Sequence, residues 1–319
     1  MKLIWHTIAV ILLSIVQLHG SHAQEYPTRP ITLVMPFPPG SNADVTGRVF
    51  AHALETSIGQ KVIVENRPGA AARIGAAYVN RAAPDGYTLL FYGGGVINKS
   101  FYKDVPFDFL TDMQPIVRLA KGSFFFFSYP GLNVNSLSEL VELVKKNPGK
   151  YNYASVSPTQ LMMVEVLKAK AGLDMVHVRY AGTTQSTLAL QTGETALYPD
   201  GLMTIRPYVA QGSIKLLAVA DPQRSRFAPD TPTMAELGYP EVNGYYDFAV
   251  WAPKGTPMAI VNKLNDNLNK TLQTAEVKDM LDRFTMDPVG GTPEELLKAV
   301  AKERAFWAEA AKIANYQPE

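Results

Sequence analysis

The sequence predicts an α/β fold built from two successive units. Apolar strand patterns alternate with helical patterns over residues 31–91, and the same alternation returns over residues 153–220. Because a strand–helix–strand succession gives parallel strands with right-handed crossovers, each unit is expected to contain a parallel sheet. The length of 319 residues also exceeds that of an average single domain. We therefore expect two α/β domains.

The first unit opens with an apolar strand over residues 31–35 that leads through a short turn into a helix. A Pro-Pro-Gly turn at residues 38–40 stops the strand. Ser41 is predicted to cap the helix, with Asp44 as its capping-box partner. The next backbone N–H groups would be unpaired at the positive end of the helix dipole, which attracts anions. The alternative is a turn that only joins two elements.

Further strands are predicted at residues 61–64 and 87–91, with a helix of small residues between them. The loops after all three strands leave from one edge of the sheet, where ligands of such folds bind. The aromatic run at residues 124–127 is interpreted as a strand buried on both faces, rather than as a stacking platform. It follows another strand at residues 114–120.

The second unit places polar turns after its strands, at residues 156–160 and 180–184. A short helix is predicted to start within residues 233–236. The tail from residue 257 is largely helical and has no sheet of its own, so it is expected to pack on the first unit. The chain would then cross between units twice, near Ser123 and near Asp247, which makes a hinge.

The N-terminus has the features of a secretory signal. It has a basic start, an apolar stretch over residues 8–16 and small residues before a cleavage site. Residues 1–23 are therefore predicted to be removed. A membrane anchor is disfavoured because the apolar run is short for a bilayer.

Several classes of function lack their sequence signals. The net charge of +1 gives no support to nucleic-acid binding, and the absence of cysteine excludes disulfides and thiolate metal sites. His52 and His177 have no partner at metal-ligand spacing. No nucleophile elbow, P-loop or dinucleotide fingerprint occurs. We expect no metal, no cofactor and no catalytic residue, although a secreted hydrolase with a cleft serine stays an alternative.

A series of motifs resembles those of a known family and follows the same order along the chain. The matching stretches are residues 31–40, 65–70, 74–76, 83–90, 147–155, 178–182, 216–220 and 251–257. Through them the chain closely resembles the periplasmic substrate-binding proteins of tripartite tricarboxylate transporters, also called Bug receptors. The resemblance implies a two-lobed periplasmic binding protein fold of type II, each lobe an α/β sandwich. Lobe 1 would comprise residues 24–122 and 248–319, and lobe 2 residues 123–247.

The resemblance also implies a ligand site between the lobes. Family members bind carboxylates through backbone N–H groups, small hydroxyls and ordered waters. Carried over to this sequence, the expected ligand-binding residues are Phe37, Pro39, Gly40, Ser41, Asn42, Asp44, Gly94, Ser155, Ser157, Thr159, Gln160, Gly182, Thr183 and Asp200. Asp44 either completes the helix cap or receives a ligand ammonium. Arg73 is either a second carboxylate clamp or a solvent-facing side chain.

The implied function is that of a monomeric periplasmic receptor. It would capture a di- or tricarboxylate, an aromatic carboxylate or an acidic amino acid and deliver it to a membrane permease of a tripartite tricarboxylate system. A ligand-sensing partner of a membrane signalling protein would use the same cleft. The chain departs from the family at residues 71–73, where glycines are common, and at residues 156–159, where the loop is stiffer.

Overall fold

A computed structural model of the chain describes residues 26–93 and 99–318. The predicted signal peptide and Gly94, one of the expected ligand-binding residues, lie outside the described residues. Within these two ranges the chain forms ten β-strands and ten α-helices. No helix of the described residues is both long enough and apolar enough to cross a membrane.

The first lobe starts as the alternation of apolar patterns predicts. Its elements are β1 (Ile31–Met35), α1 (Asn42–Ile58), β2 (Val62–Asn66), α2 (Arg73–Asn80) and β3 (Thr88–Phe91). Strand β1 pairs in parallel with both neighbours, so that Leu33 lies opposite Val64 on one side and Leu89 on the other. The predicted parallel arrangement of these three strands is confirmed.

The chain then passes to the second lobe and returns. The outgoing elements are α3 (Phe109–Asp112), β4 (Met113–Ser128), α4 (Leu137–Lys145), β5 (Tyr151–Ser155), α5 (Pro158–Ala171), β6 (Met175–Arg179), α6 (Thr183–Thr192), β7 (Leu197–Gly201), α7 (Leu202–Ala210) and β8 (Lys215–Val219). The returning elements are β9 (Tyr245–Pro253), α8 (Met258–Thr271), α9 (Ala275–Arg283), β10 (Asp287–Gly290) and α10 (Pro293–Ile313).

Strand β4 belongs to the sheets of both lobes. The first sheet has the order β2-β1-β3-β9-β4 with β10 also on β4, and the second has the order β4-β7-β5-β6 with β8 also on β4. Ser123 of β4 still pairs with Tyr245 of β9, whereas Phe124 pairs with Gly201 of β7. The two separate strands expected over residues 114–127 are therefore one bent strand. Its register on β9 shifts twice, at residues 115–117 and 118–120, and such bulges bend a strand.

The sheets are buried on both faces. In β1, Leu33 and Met35 join the core on one face and Val34 joins the core on the other. In β4, Phe126 faces one core of the second lobe and Phe127 the opposite core. This alternation follows from the two-residue period of a strand, and it confirms that residues 124–127 are a buried strand.

The helical tail contacts both lobes. Helices α8 and α9 pack on α1 in the first lobe, as expected. Helix α10 begins in the first lobe, where Leu296 and Val300 join the core, and ends in the second, where Trp307 and Ala310 are buried. Its 21 residues span about 30 Å, which is enough to connect two cores. The tail thus extends beyond the lobe on which it was expected to pack.

Two local predictions are wrong. Helix α5 begins inside the turn predicted at residues 156–160, because Pro158 suits the first helical position and Ser157 caps it. The short helix expected from Thr233 does not form. Thr233 and Glu236 do exchange the reciprocal hydrogen bonds of a capping box, but the segment remains a turn that ends at Gly238, where φ is +90°.

Candidate functional site

A cavity of about 350 Å³ lies between the two lobes. Its volume is at the lower end of the range found for small-molecule pockets. Seven of the residues expected from the sequence line it, and these are Phe37, Asn42, Ser157, Thr159, Gln160, Thr183 and Asp200. The cavity therefore brings together a first-lobe loop and three second-lobe loops that are far apart in the sequence.

Four helices begin at this cavity. Each of α1, α5, α6 and α7 contributes at least one residue of its first turn to the wall, and these include Asn42, Thr159, Thr183 and Met203. The N-cap residues of α6 and α7 are Gly182 and Gly201, so neither helix has a side-chain cap. In α1, no acceptor of the described residues takes a hydrogen bond from the backbone N–H of Asn42 or Ala43. The cavity wall thus presents partial positive charge and unpaired donors.

The start of α5 is fixed by Gln160. Its Oε1 accepts hydrogen bonds from the backbone N–H groups of Val156 at 2.8 Å and Ser157 at 3.1 Å. The Ser157 hydroxyl in turn accepts from the Gln160 backbone N–H at 3.3 Å, which completes a capping box. A capping box orders the loop at the cavity wall without help from glycine.

Asp200 forms a rigid acceptor at the base of the second-lobe wall. Its carboxylate accepts hydrogen bonds from the Tyr198 hydroxyl at 2.6 Å, the Gly201 backbone N–H at 2.8 Å and Gln160 Nε2 at 3.1 Å. Burial raises the pKa of Asp200, although these donors oppose the rise. With so many donors already bound, Asp200 positions α5 and α7 and offers few acceptor sites to a ligand.

Asp44 lies beside the cavity and does not line it. It is 2% exposed and accepts hydrogen bonds from the Gly40 backbone N–H at 2.9 Å, Asn66 Nδ2 at 2.7 Å and Arg48 Nε at 3.0 Å. Burial opposes ionisation, but these donors outweigh it and hold the pKa of Asp44 below its usual value. Ser41 caps α1 as predicted. Asp44 does not complete the predicted capping box, because its carboxylate accepts from the backbone N–H of Gly40 and not from that of Ser41.

The other expected site residues line no part of the cavity wall, and these are Pro39, Gly40, Ser41, Ser155 and Gly182. Gly40 has φ of +79°, which suits the turn that ends β1. Ser155 Oγ lies 2.7 Å from His177 Nε2, but Ser155 is 2% exposed and neither residue lines the cavity. This serine–histidine pair therefore gives no support to a hydrolase in the cleft.

Arg73 is engaged outside the cavity. Its guanidinium donates to the carbonyl oxygens of Ala70 at 2.9 Å and Asp104 at 3.2 Å, and it lies 4.2 Å from the centre of the Tyr102 ring. These contacts anchor the loop before α2. Neither alternative considered for Arg73, a ligand clamp or a free solvent-facing side chain, describes these contacts.

Sequence reasoning missed two acids that line the cavity, Asp247 and Glu303. Asp247 lies on β9 and its Oδ2 accepts from Arg118 Nε at 2.7 Å. Glu303 lies on α10, is 6% exposed, and its Oε1 accepts from Trp307 Nε1 at 3.2 Å. Burial, assisted by Asp247, raises the pKa of Glu303 to about 8. No local motif marks either residue, because only the packing of β9 and α10 brings them together.

The charge of the lining is unusual for an anion site. Among the described residues that line the cavity, none is Lys, Arg or His, whereas Asp200, Asp247 and Glu303 are acids. An anion would therefore depend on helix N-termini and hydroxyl groups. Aromatic side chains form part of the remaining wall, with Phe37 packed edge to face on Phe248 at 6.0 Å between ring centres.

The lobes also contact each other through side chains. Asn42 Nδ2 on α1 lies 3.5 Å from Thr204 Oγ1 on α7. Arg226 of the second lobe forms ion pairs of 2.7 Å with Asp282 and with Asp287 of the first lobe. These contacts hold the lobes together around the cavity. No group of three side chains suited to a metal ion occurs in the part of the chain that the structure describes.

Comparison with protein families gives one match. The model of the family described as "Tripartite tricarboxylate transporter family receptor" matches residues 46–315. Among curated proteins, the chain is 33% identical to Protein BugT of Bordetella pertussis over 291 residues, which is 90% of this chain and 89% of BugT.

Two solved structures resemble this chain over most of its length. An R. palustris protein solved with adipate is 30% identical, with a TM-score of 0.82 over 92% of this chain and all of that one. MatC from Rhodopseudomonas palustris, solved with bound malate, is 25% identical, with a TM-score of 0.76 over 89% of this chain and 99% of MatC. These likenesses confirm the expected two-lobed fold of type II.

Proposed function

The chain belongs to the tripartite tricarboxylate transporter receptor family, and from that premise we propose that it is a periplasmic receptor for a small organic acid. The receptor captures the acid between its lobes and delivers it to a membrane permease of a tripartite tricarboxylate system. It acts as a monomer and without catalysis. This proposal is supported by the family, whose members are solute-binding receptors, and by the geometry of the interlobe cavity.

One observation carries the proposal. Four helices begin at a cavity of about 350 Å³, and no basic side chain of the described residues lines it. Helix N-termini bind carboxylates through backbone N–H groups and the helix dipole. The neighbours solved with adipate and malate support the same ligand chemistry. The cavity therefore suits a small carboxylate.

The proposed order of events starts in the first lobe. A ligand carboxylate docks on the unpaired N–H groups of Asn42 and Ala43 at the start of α1. The second lobe, residues 123–247, then rotates about the crossings of β4 and β9 and brings the starts of α5, α6 and α7 onto the ligand. Ser157, Thr159 and Thr183 are proposed to add hydroxyl contacts from that side.

The energies are sufficient for tight binding. A hydrogen bond to a charged group contributes roughly 1.5–3 kcal/mol. Three or four such bonds with some apolar burial reach the ~8 kcal/mol of a micromolar dissociation constant after the costs of association. Ordered waters can replace some direct contacts with little loss. A side-chain cation is therefore not required.

The test combines identification of the ligand with titration. Mass spectrometry of the acid released from purified protein should give a small carboxylate. Calorimetric titration with di-, tri- and aromatic carboxylates should show saturable binding without product, and small-angle scattering should show a smaller radius of gyration in the complex. Binding of an uncharged compound with no carboxylate binding would contradict the proposal, and turnover of an ester panel would favour a hydrolase.

The partner and the oligomeric state need their own measurements. Capture of a membrane protein from its native membrane by the liganded receptor should recover a transport permease, whereas recovery of a membrane kinase would favour the signalling alternative. Sedimentation equilibrium should give the mass of one chain. Cell fractionation should place the protein in the periplasm with residues 1–23 removed.

A further inference from the structure

A second polar part of the cavity lining, the acidic end, is formed by carboxylates. Asp247 and Glu303 line this end, and they come from β9 and α10, which connect the lobes. Both are nearly buried, with the Asp247 side chain 8% exposed and Glu303 6% exposed. Their position differs from that of the helix N-termini, which lie on the walls contributed by α1, α5, α6 and α7.

The two acids have more acceptor capacity than the protein fills. Arg118 Nε donates to Asp247 Oδ2, Trp307 Nε1 donates to Glu303 Oε1, and the Tyr245 side chain also hydrogen-bonds to Glu303. The two carboxyl groups have lone-pair positions beyond those that these donors occupy. Gly93 allows the Asp247 carboxylate to pack closely against the backbone, because a Cβ at Gly93 would lie 1.9 Å from Asp247 Oδ1. Asp200 differs, since three donors already bind it.

The charges at this end balance within the protein only while Glu303 is protonated. Arg118 neutralises Asp247, and its guanidinium is held over the Tyr245 ring at 4.6 Å, outside the cavity lining. Glu303 then adds a carboxyl group beside Asp247. Burial and that neighbour raise the pKa of Glu303, because a second negative charge is unfavourable there. A ligand carboxylate placed at this end would meet the negative charge of Asp247, whereas a ligand cation would be attracted by Asp247 and would favour ionisation of Glu303.

We propose that the receptor takes an organic acid whose far end is a protonated amine, with the carboxylate at the helix N-termini and the ammonium between Asp247 and Glu303. This inference rests on the proposed function and narrows its substrate class from organic acids to amino-terminated carboxylates. It makes Glu303 a specificity-determining residue. A dicarboxylate has no positively charged group to place between Asp247 and Glu303.

Two ligand series test the proposal on the unaltered protein. With four methylenes between the ends, 5-aminopentanoate, adipate and hexanoate differ only in carrying an ammonium, a carboxylate or a methyl group. With two methylenes, β-alanine, succinate and butanoate form the same comparison. In at least one series the amine should bind about tenfold to hundredfold tighter than the methyl-ended acid, as expected for one or two hydrogen bonds to charged groups.

A pair of variants identifies the residue responsible. Glu303→Gln keeps the size of the side chain and removes its ionisable carboxyl group. Glu309→Gln on the same helix is the matched control, because Glu309 is 63% exposed and pairs only with Lys312 among the described residues. Glu303→Gln should weaken binding of the amine-ended ligand at least tenfold relative to Glu309→Gln. Binding of the methyl-ended acid should stay within about threefold.

The outcomes separate this inference from the function on which it rests. Tighter binding of adipate and succinate than of the amines would overturn the ammonium end and leave the organic-acid receptor intact. Equal loss of all ligands in Glu303→Gln, with the fold retained, would also overturn it. If neither series nor the wider carboxylate panel binds, the proposed function fails as well.

Discussion

A negative charge placed at the start of α1 should abolish ligand binding without unfolding the protein. Ala43 lines the cavity, is half-buried and follows the first residue of α1. In Ala43→Asp, the new carboxylate would occupy the same unpaired N–H groups and the same end of the helix dipole as the ligand. The variant therefore separates anion recognition from stability.

The magnitude follows from the Coulomb energy of two like charges. At about 4 Å and an effective dielectric constant of about 20, the repulsion is about 4 kcal/mol, and at about 8 Å it is about 2 kcal/mol. These energies correspond to losses of about 1000-fold and about 30-fold in affinity. An acidic residue in the first helical turn stabilises a helix by about 0.3–1 kcal/mol. The free energy of unfolding should therefore stay within about 1 kcal/mol of the original value.

The assay is calorimetric titration with the tightest-binding acid of the panel, accompanied by thermal unfolding. Val45→Asp is the matched control, because Val45 lies in the same turn of α1, is 40% exposed and does not line the cavity. The control should bind as the unaltered protein does. Unchanged affinity in Ala43→Asp, or an equal loss in Val45→Asp, would refute the reasoning that a carboxylate docks at this helix N-terminus.

Four further variants test other parts of the structure. The pKa of Glu303 is raised from 4.5 to about 8, so its contribution to stability is complete below pH 4.5 and is lost as the pH rises to about 8. Chemical denaturation should show a smaller decline in stability from about pH 5 to about pH 8.5 in Glu303→Gln, and an unchanged decline would contradict the shift. Trp307→Ala should lower the free energy of unfolding by about 3–5 kcal/mol, because the indole is 1% exposed; a loss near zero would mean that α10 does not pack there. Arg226→Ala should change stability by less than about 1 kcal/mol, since its ion pairs are half-exposed, yet raise the radius of gyration of the unliganded protein. Ala71→Gly should stabilise the protein by up to about 1 kcal/mol, because Ala71 is exposed and has φ of +50°, and destabilisation would contradict that strain.

The sequence predicts the parts of the fold that depend on local pattern. The strand over residues 31–35 and the cap at Ser41 occur where the apolar run and the hydroxyl residue indicate them. The aromatic strand of residues 124–127 is buried as expected, because four aromatic side chains in succession need apolar surroundings on both faces of a sheet. Such features are decided within a few residues, so local reasoning reaches them.

Other features depend on contacts that no local pattern encodes. The continuity of β4 across both lobes requires pairing with β9 and β7, which lie about a hundred residues away in the sequence. Helix α10 has an apolar face that fits either lobe, and only the structure shows that Trp307 enters the second. Residues that favour a helix start also favour a turn. The polar stretch around Pro158 therefore indicates a turn, although Pro158 begins α5.

The cavity lining was predictable where it consists of loops at strand ends. Asn42, Ser157 and Thr183 follow strands at the sheet edge where α/β proteins bind ligands, and each lines the cavity. Asp247 and Glu303 could not be found in this way. Each lies within a regular element, and their effect on the cavity arises from burial beside each other.

A crystal structure of the complex with the tightest-binding acid tests the central claim most directly. A carboxylate oxygen should lie about 2.7–3.1 Å from the backbone nitrogen of Asn42 or Ala43, with donors from α5, α6 or α7 on its other side. A carboxylate bound outside the interlobe cavity, or held there by a lysine or arginine side chain with the helix N-termini unoccupied, would contradict it.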